Sequence, residues 1–344
     1  MDVNVEVPRS MRASVLKPDL TVVLEDRPVP QPEADQVLVR IEAVGVCGSD
    51  VHYYRHGRIG GFVVDRPIIL GHESGGTIVA VGSDVDPGRI GERVSIEPQR
   101  SCRTCEFCKR GEYNLCTEIE FYATPPIDGV FAEYGVIQAD FAHPIPDTMS
   151  MDAAALLEPL SCAIAAVRKA HIQPGSSVLI AGCGPIGIIC AQAAKAFGAG
   201  EIVMTDLLEE RRRLALKFGA TKVVDPAAEQ LPEASVDAFI DATGALPAVR
   251  SGIATVKPGG AAIIVGMGDE DMNLPVSVIT AREIGVTGIF RYNNTWPAGI
   301  SMVQNGVVDL DALVSGRFGL AEVQHALDID TDPGTLKSII EPQR

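Results

Sequence analysis

The sequence has no apolar run approaching the roughly 20 residues that span a bilayer, and its opening stretch, Met1 to Arg12, lacks the apolar segment of a secretory signal. The expectation is a cytoplasmic protein with no membrane partner. Positive charge is scarce, with 29 Lys and Arg against 45 Asp and Glu and a net charge of −16. A chain this anionic repels phosphate backbones, which excludes nucleic acid and anionic membrane as partners. Internal repeats and low-complexity segments are absent, which leaves an ordinary globular chain. With 46% hydrophobic and 22% charged residues, a length of 344 is enough to bury a full core. At about 100 to 200 residues per domain, two domains are expected.

From Met11 to about Ile145, short alternating runs such as Gln36-Val-Leu-Val-Arg-Ile-Glu-Ala-Val44 are cut at frequent intervals by Pro and Gly, which reads as a β-rich domain. Between Met151 and Lys169 the apolar spacing becomes helical. From Ser176 onward, apolar strands alternate with longer helical stretches, as in βαβ units. A domain boundary is therefore expected near Leu156. Strands are expected at 177–181, 201–205, 222–224, 236–242, 261–265 and 284–290. Helices are expected from Pro185 to Gly198 and from Glu209 to Phe218, each closed by glycine. Six strands with crossover helices imply a doubly wound parallel sheet and an α/β class. A helix near Pro297 to Gln304 and a strand at 336–340 follow, and this tail is expected to rejoin the first domain.

Gly182-Cys-Gly-Pro-Ile-Gly187 follows a buried-type strand and opens a helix. Glycine lets the chain turn tightly and approach a pyrophosphate, while the helix N-terminus offers free N–H groups and a positive dipole end. Asp206 stands 19 residues after Gly187 at the end of the next strand, where an acid accepts from ribose hydroxyls and repels the 2′-phosphate of NADP. NAD is the expected cofactor. Arg211, Arg212 and Arg213 complicate this choice because arginines near that strand end can bind phosphate. At least two of them are expected on a solvated helix face, with one stacking on adenine.

Half of the eight cysteines, Cys102, Cys105, Cys108 and Cys116, have the spacing C-x2-C-x2-C-x7-C in a polar stretch. Four clustered thiolates make a closed tetrahedral zinc site that lends stability and leaves no position open for substrate. An iron–sulfur cluster is the competing occupant. A second group is spread out: Cys47-Gly-Ser-Asp-Val-His52, Gly71-His-Glu73 and Glu158-Pro-Leu160. A thiolate, an imidazole and a carboxylate can hold zinc with one position open, as catalysis requires.

With these motifs in this order, the chain resembles the zinc-dependent medium-chain dehydrogenases, and within them the sorbitol- and xylitol-type polyol dehydrogenases. The resemblance covers nearly the whole chain and rests on Gly45-Val-Cys-Gly-Ser-Asp-Val-His-Tyr-Tyr54, Leu70-Gly-His-Glu73, Tyr122-Ala-Thr-Pro-Pro126, Leu157-Glu-Pro-Leu-Ser161 and Phe290-Arg-Tyr-Asn-Asn-Thr-Trp-Pro297. It implies a GroES-like β-rich catalytic domain (1–156 plus 291–344), a Rossmann NAD-binding domain (157–290), an active cleft between them and a homotetramer. It further implies that Cys47, His72 and Glu73 bind a catalytic zinc, with Glu158 touching the metal directly or through water, so that the third ligand stays open between the two acids. Ser49 and His52 would relay the hydroxyl proton. Tyr53, Phe121, Thr124, Glu158, Arg291 and Tyr292 would contact the polyol. Gly182, Gly184, Pro185, Ile186, Gly187, Asp206, Arg211, Thr243, Val265, Met267, Phe290 and Arg291 would line NAD. The complete set of four clustered cysteines departs from the mammalian members of that branch and points to a microbial-type relative.

The implied reaction is reversible oxidation of a small-molecule sugar alcohol to its ketose, with NAD and two zinc ions per chain. The rivals are oxidation of another alcohol such as threonine or butanediol, an idle structural relative, and a zinc-ribbon module reading nucleic acid, which the charge argues against. Cys162, Cys183 and Cys190 read as small core residues. His56, His143, His171 and His325 have no partner that the sequence names, and Trp296 is expected to pack at the start of its helix. The clusters at 229–233 and 328–332 read as solvated surface.

Overall fold

The computed structural model describes residues 7–268, 271–329 and 332–344; the opening stretch to Glu6, and Asp330 and Thr331 of the second acidic cluster, lie outside the described residues. The chain divides into two compact units, residues 1–158 with 309–344, and residues 159–308.

The first unit is built on the strand Gln36–Gly45, in which only Arg40 and Glu42 are not buried. It pairs antiparallel with Glu73–Val81, Tyr134–Gln138 and Lys337–Ile340, so a long buried strand gathers neighbours from three distant parts of the sequence. The full seven-stranded sheet adds Arg93–Ile96, Ala142–Pro144 and Val314–Phe318. A smaller sheet joins Ser10–Leu16, Val22–Pro28 and Ile68–Ile69. The tail returns from Asp309 onward, while its helix Trp296–Gln304 stays in the second unit; Ile339 stands opposite Gly45, which places Lys337 within two residues of that crossing point. The core between these layers is aliphatic, with Val37, Val39, Ile41, Ile78, Val94 and Ile96 fully buried.

The second unit is a six-stranded parallel sheet in the order Lys222–Val224, Glu201–Thr205, Ser177–Ala181, Val236–Asp241, Val256–Ile264, Gly285–Gly288. Strand order reverses beside Ser177–Ala181, and in open parallel sheets that switch point opens the ligand crevice at the strand ends. Pro185 opens the helix Pro185–Ala196, its missing N–H falling where no intrahelical partner exists. Gly187 lets this helix lie on the strand, since a Cβ there would come within 1.9 Å of the Gly182 carbonyl oxygen.

Apart from shifts of one or two residues at element ends, the structure departs from the sequence expectation in three places. The strand Val256–Ile264 begins before Ala261 despite Pro258 and Gly259, and a register shift between Val236 and Ala238 absorbs the irregular residues. The last strand stops at Gly288, and the chain then turns through Arg291, whose φ is +55°. The second unit runs on to Val308 instead of ending at Phe290. Arg168 donates to the Asn294 carbonyl at 3.1 Å and Lys169 to that of Gly288 at 2.9 Å, fastening this segment to the helix Leu157–Lys169. Trp296 is fully buried at the start of the helix Trp296–Gln304.

Candidate active site and metal centres

Cys47 is the N-cap of the helix Gly48–His56, and Asp50 in its first turn fixes the surrounding chain. One Asp50 oxygen accepts from the Cys47 N–H at 3.1 Å and the other from the Gly71 N–H at 3.0 Å, which draws the helix start and the residue before His72 together. His72 Nδ1 lies 3.6 Å from the same carboxylate. Glu73 opens the strand Glu73–Val81 and is fully buried. One donor atom from each of Cys47, His72 and Glu73 lies within 4.8 Å of the others.

Glu73 reaches its position by crossing Gly45, its cross-strand partner: a Cβ on Gly45 would stand 2.0 Å from Glu73 Oε2. Beyond the glycine lies Lys337, itself buried, whose ammonium donates to Glu73 Oε1 at 2.7 Å and to the Val46 carbonyl. Oε2 lies 2.5 Å from the same nitrogen yet accepts no aligned hydrogen bond. Burial raises the Glu73 carboxyl above the usual range against the pull of Lys337. Burial also opposes a charged His72, but Asp50 and Cys47 outweigh it, and the imidazole titrates well above 6.5.

A thiolate, an imidazole and a buried carboxylate match the donor set of a zinc ion bound by three protein ligands. Among the described residues Glu158, buried at the start of the helix Leu157–Lys169, is not in this donor group, so the acid beside Cys47 and His72 is Glu73. The buried Phe121 ring packs 5.6 Å from His72. Tyr53 is buried, while Ser49, His52 and Thr124 are half-buried.

Cys102, Cys105, Cys108 and Cys116 also gather, with all four sulfurs within 4.8 Å. Main-chain N–H groups aim at the sulfurs: Cys105 N at Cys102 Sγ (3.3 Å), Cys102 N at Cys116 Sγ (3.4 Å) and Cys108 N at Cys105 Sγ (3.5 Å). Hydrogen bonds from Thr104, by hydroxyl and main chain, and from Cys105 lower the Cys102 thiol to about 6. Burial and the neighbouring Cys105 push Cys108 to about 12. The Cys102 and Cys108 sulfurs are 4.0 Å apart; tetrahedral Zn–S bonds near 2.3 Å imply about 3.8 Å. The site is closed, as a structural zinc requires. All eight cysteines are free of disulfides, and burial drives Cys183 and Cys190 to about 12, as expected for inert core thiols; Cys162 is half-buried.

In the second unit Gly182 turns with φ +97°, and Asp206 accepts from the Cys183 N–H and the Leu208 N–H, each at 2.9 Å. The three arginines separate. Arg213 is exposed and paired with Glu209, whereas Arg212 is half-buried, donating to the Asp206 carbonyl at 2.6 Å and pairing with Asp225 at 3.2 Å. Only one of the three is therefore plainly solvated, against the two expected, because Asp225 and the strand end draw Arg212 inward. Arg211 lies over the glycine loop, its Nη1 3.5 Å from where a Gly184 Cβ would stand. Thr243 donates to the buried Asp241 at 2.6 Å, and the Val265 N–H to the Asp241 carbonyl at 2.9 Å. Met267 and Phe290 leave about half of their surface exposed, at 57% and 49%. Arg291 covers the Phe290 ring at 4.7 Å, and the buried Tyr292 packs edge-on against Trp296 at 5.2 Å.

Residues 33–147 match the family described as alcohol dehydrogenase GroES-like domain, and residues 185–305 match zinc-binding dehydrogenase. The sorbitol dehydrogenase of Bacillus subtilis is 42% identical over 98% of this chain and 99% of its own. The D-xylulose reductase A of Aspergillus oryzae is 40% identical over 89% of both chains. The crystal structure of L-idonate 5-dehydrogenase from Escherichia coli superposes with a TM-score of 0.91 at 28% identity, covering 96% of this chain and 98% of that one. The chain belongs to the zinc-dependent medium-chain dehydrogenases.

For a dehydrogenase of this family, two positions around the metal escaped the sequence reading. Asp50 stood inside a quoted motif without a role; its signal was its place three residues after Cys47, where an acid caps a helix start. Lys337 had no local signal, being 264 residues from Glu73. His143, left without a partner by sequence, lies 2.8 Å from the buried Glu97, and His325 packs edge-on to Phe318.

Proposed function

We propose that the protein reversibly oxidises a sugar alcohol of the sorbitol or xylitol type to its ketose, with hydride passing to NAD. The observation that carries this reading is the donor group of half-buried Cys47 and buried His72 and Glu73 in a chain that also holds a dinucleotide loop. Zinc bound there supplies Lewis acidity, lowering the pKa of a coordinated hydroxyl as it lowers that of water to roughly 7 to 9. Ser49 accepts the hydroxyl proton and hands it toward His52. Burial, then the neighbouring His56, lower the pKa of His52 and keep it neutral and able to receive a proton at pH 7.

Tyr53, Thr124, Glu158, Arg291 and Tyr292 bind the remaining hydroxyls, and Phe121 forms an apolar wall beside His72. Directed hydrogen bonds of this kind reject simple alcohols, which leave buried polar groups unpaired. Gly182, Gly184, Pro185, Ile186 and Gly187 cradle the pyrophosphate, Asp206 holds the adenosine ribose, and Arg211, Thr243, Val265, Met267 and Phe290 line the remainder. The activities named for the Bacillus and Aspergillus relatives support the substrate class. Catalysis falls to residues 1–158 with 309–344 and cofactor binding to 159–308. The protein works as a cytoplasmic homotetramer; its free cysteines suit a reducing compartment, and no helix among the described residues is long and apolar enough to cross a membrane.

Steady-state kinetics on sorbitol, xylitol, butanediol, threonine and ethanol with NAD and NADP test this reading. The expected result is the highest kcat/KM for a polyol with NAD. A higher value for butanediol or threonine, or for NADP, overturns the substrate or the cofactor assignment respectively.

A further inference from the structure

Two histidines share one face of the helix Gly48–His56. His52 and His56 are four residues apart, the spacing that stacks side chains one turn above another. Their ring centroids are 4.6 Å apart with the planes tilted by 54°. His52 is half-buried and His56 exposed, so the pair opens to solvent on one side. Among the described residues, neither ring has a hydrogen bond or an ion pair, and the contact between the two rings is their own only interaction. Two imidazoles held this close repel each other when both are protonated; the charge of His56, after burial, lowers the pKa of His52. An unprotonated imidazole offers a nitrogen lone pair, and here two such rings lie within one helix turn of each other. Imidazole pairs four residues apart on a helix chelate first-row transition metals, with copper(II) held most tightly.

We propose that His52 and His56 form a third, solvent-facing metal site that takes a divalent transition-metal ion through two imidazole nitrogens, with water completing the coordination. Both ligands stand on one rigid helix turn, so binding demands little rearrangement. Because His52 is the proton acceptor in the function proposed above, a metal held here blocks proton exit. That consequence, unlike the site itself, rests on the proposed function.

The test uses the zinc-loaded protein and its His56→Ala variant. One equivalent of copper(II) is added, zinc retention is checked by elemental analysis, and electron paramagnetic resonance reads the ligands. The expected spectrum of the parent shows two coordinating nitrogens. The variant is expected to lose that signature and bind copper at least about tenfold more weakly. A two-nitrogen spectrum that survives in the variant, or one missing from the parent while zinc stays bound, overturns the site. In the activity arm, excess zinc ion is expected to inhibit polyol oxidation by the parent several-fold more than by the variant. Equal inhibition of both overturns the blockade. The spectroscopic arm needs no substrate, so failure of the metal site and failure of the polyol assignment are read separately.

Discussion

At Gly45 the missing side chain is what allows a metal ligand to exist. The Glu73 carboxylate lies across this residue, and a Cβ would stand 2.0 Å from Oε2. Gly45→Ala therefore displaces the carboxylate, and zinc per chain measured by elemental analysis is expected to fall from two to one, the four-cysteine site remaining filled. Lys337 acts on the same carboxylate from the far side of the glycine. In the metal-free protein it is the counter-charge of a fully buried acid, and removing one partner of such a pair costs about 3–5 kcal/mol. Lys337→Met is expected to lower the unfolding free energy of metal-stripped protein, read from urea titration, by that order, and by less when zinc is present to neutralise Glu73. These residues also mark where sequence reading stops. Cys47, His72 and Glu73 stand near glycines in motifs that can be read locally. Lys337 acquires its role only through strand pairing across 264 residues. The choice between Glu73 and Glu158 needed geometry as well, since each acid sits in an equally plausible local setting.

Elements whose determinants are local were the most legible. The helices beginning at Pro185 and Glu209 carry periodic apolar positions and a closing glycine, and they form where the pattern puts them. The strand Val256–Ile264 was not legible in full, because Pro258 and Gly259 signal a turn that a register shift in the parallel ladder overrides. The four-cysteine lobe is the extreme local case. Its ligands span residues 102–116, and its regular structure is only the four-residue helix Glu106–Lys109 and the short turn Tyr113–Leu115. So small a lobe has little core of its own, and metal ligation replaces packing. Cys102→Ser is expected to reduce zinc to one per chain and to lower the thermal midpoint. At roughly 2–4 °C per kcal/mol for a unit of this size, the loss of a structural metal predicts a fall of about 5 °C or more. Unchanged zinc content and midpoint would remove the structural role of this lobe.

Across the whole molecule, metal binding and protonation compete for the same groups, and the competition has a definite sign. Zinc requires neutral His72 and ionised Cys47, so acid favours release. In the metal-free chain burial opposes the imidazolium but Asp50 and Cys47 prevail, and the folded-state pKa of His72 lies well above the unfolded 6.5. A group raised in this way stabilises the fold fully below 6.5, and the contribution is lost as pH rises through the folded value. Lowering the pH from 8 to 6.5 should therefore stabilise the stripped protein relative to its unfolded state, while the same change weakens zinc binding and erodes the stabilisation that metal confers on the loaded protein. The two thermal midpoints are expected to converge toward acid, with the chelator-stripped form rising relative to the loaded one. Calorimetric scans of both forms at matched pH read the gap directly, and groups that titrate alike in both cancel from it. A gap that stays constant as the pH falls would mean that His72 is neutral in the metal-free fold, and one that widens would mean that zinc binding releases no protons from Cys47 and His72 and would overturn them as ligands.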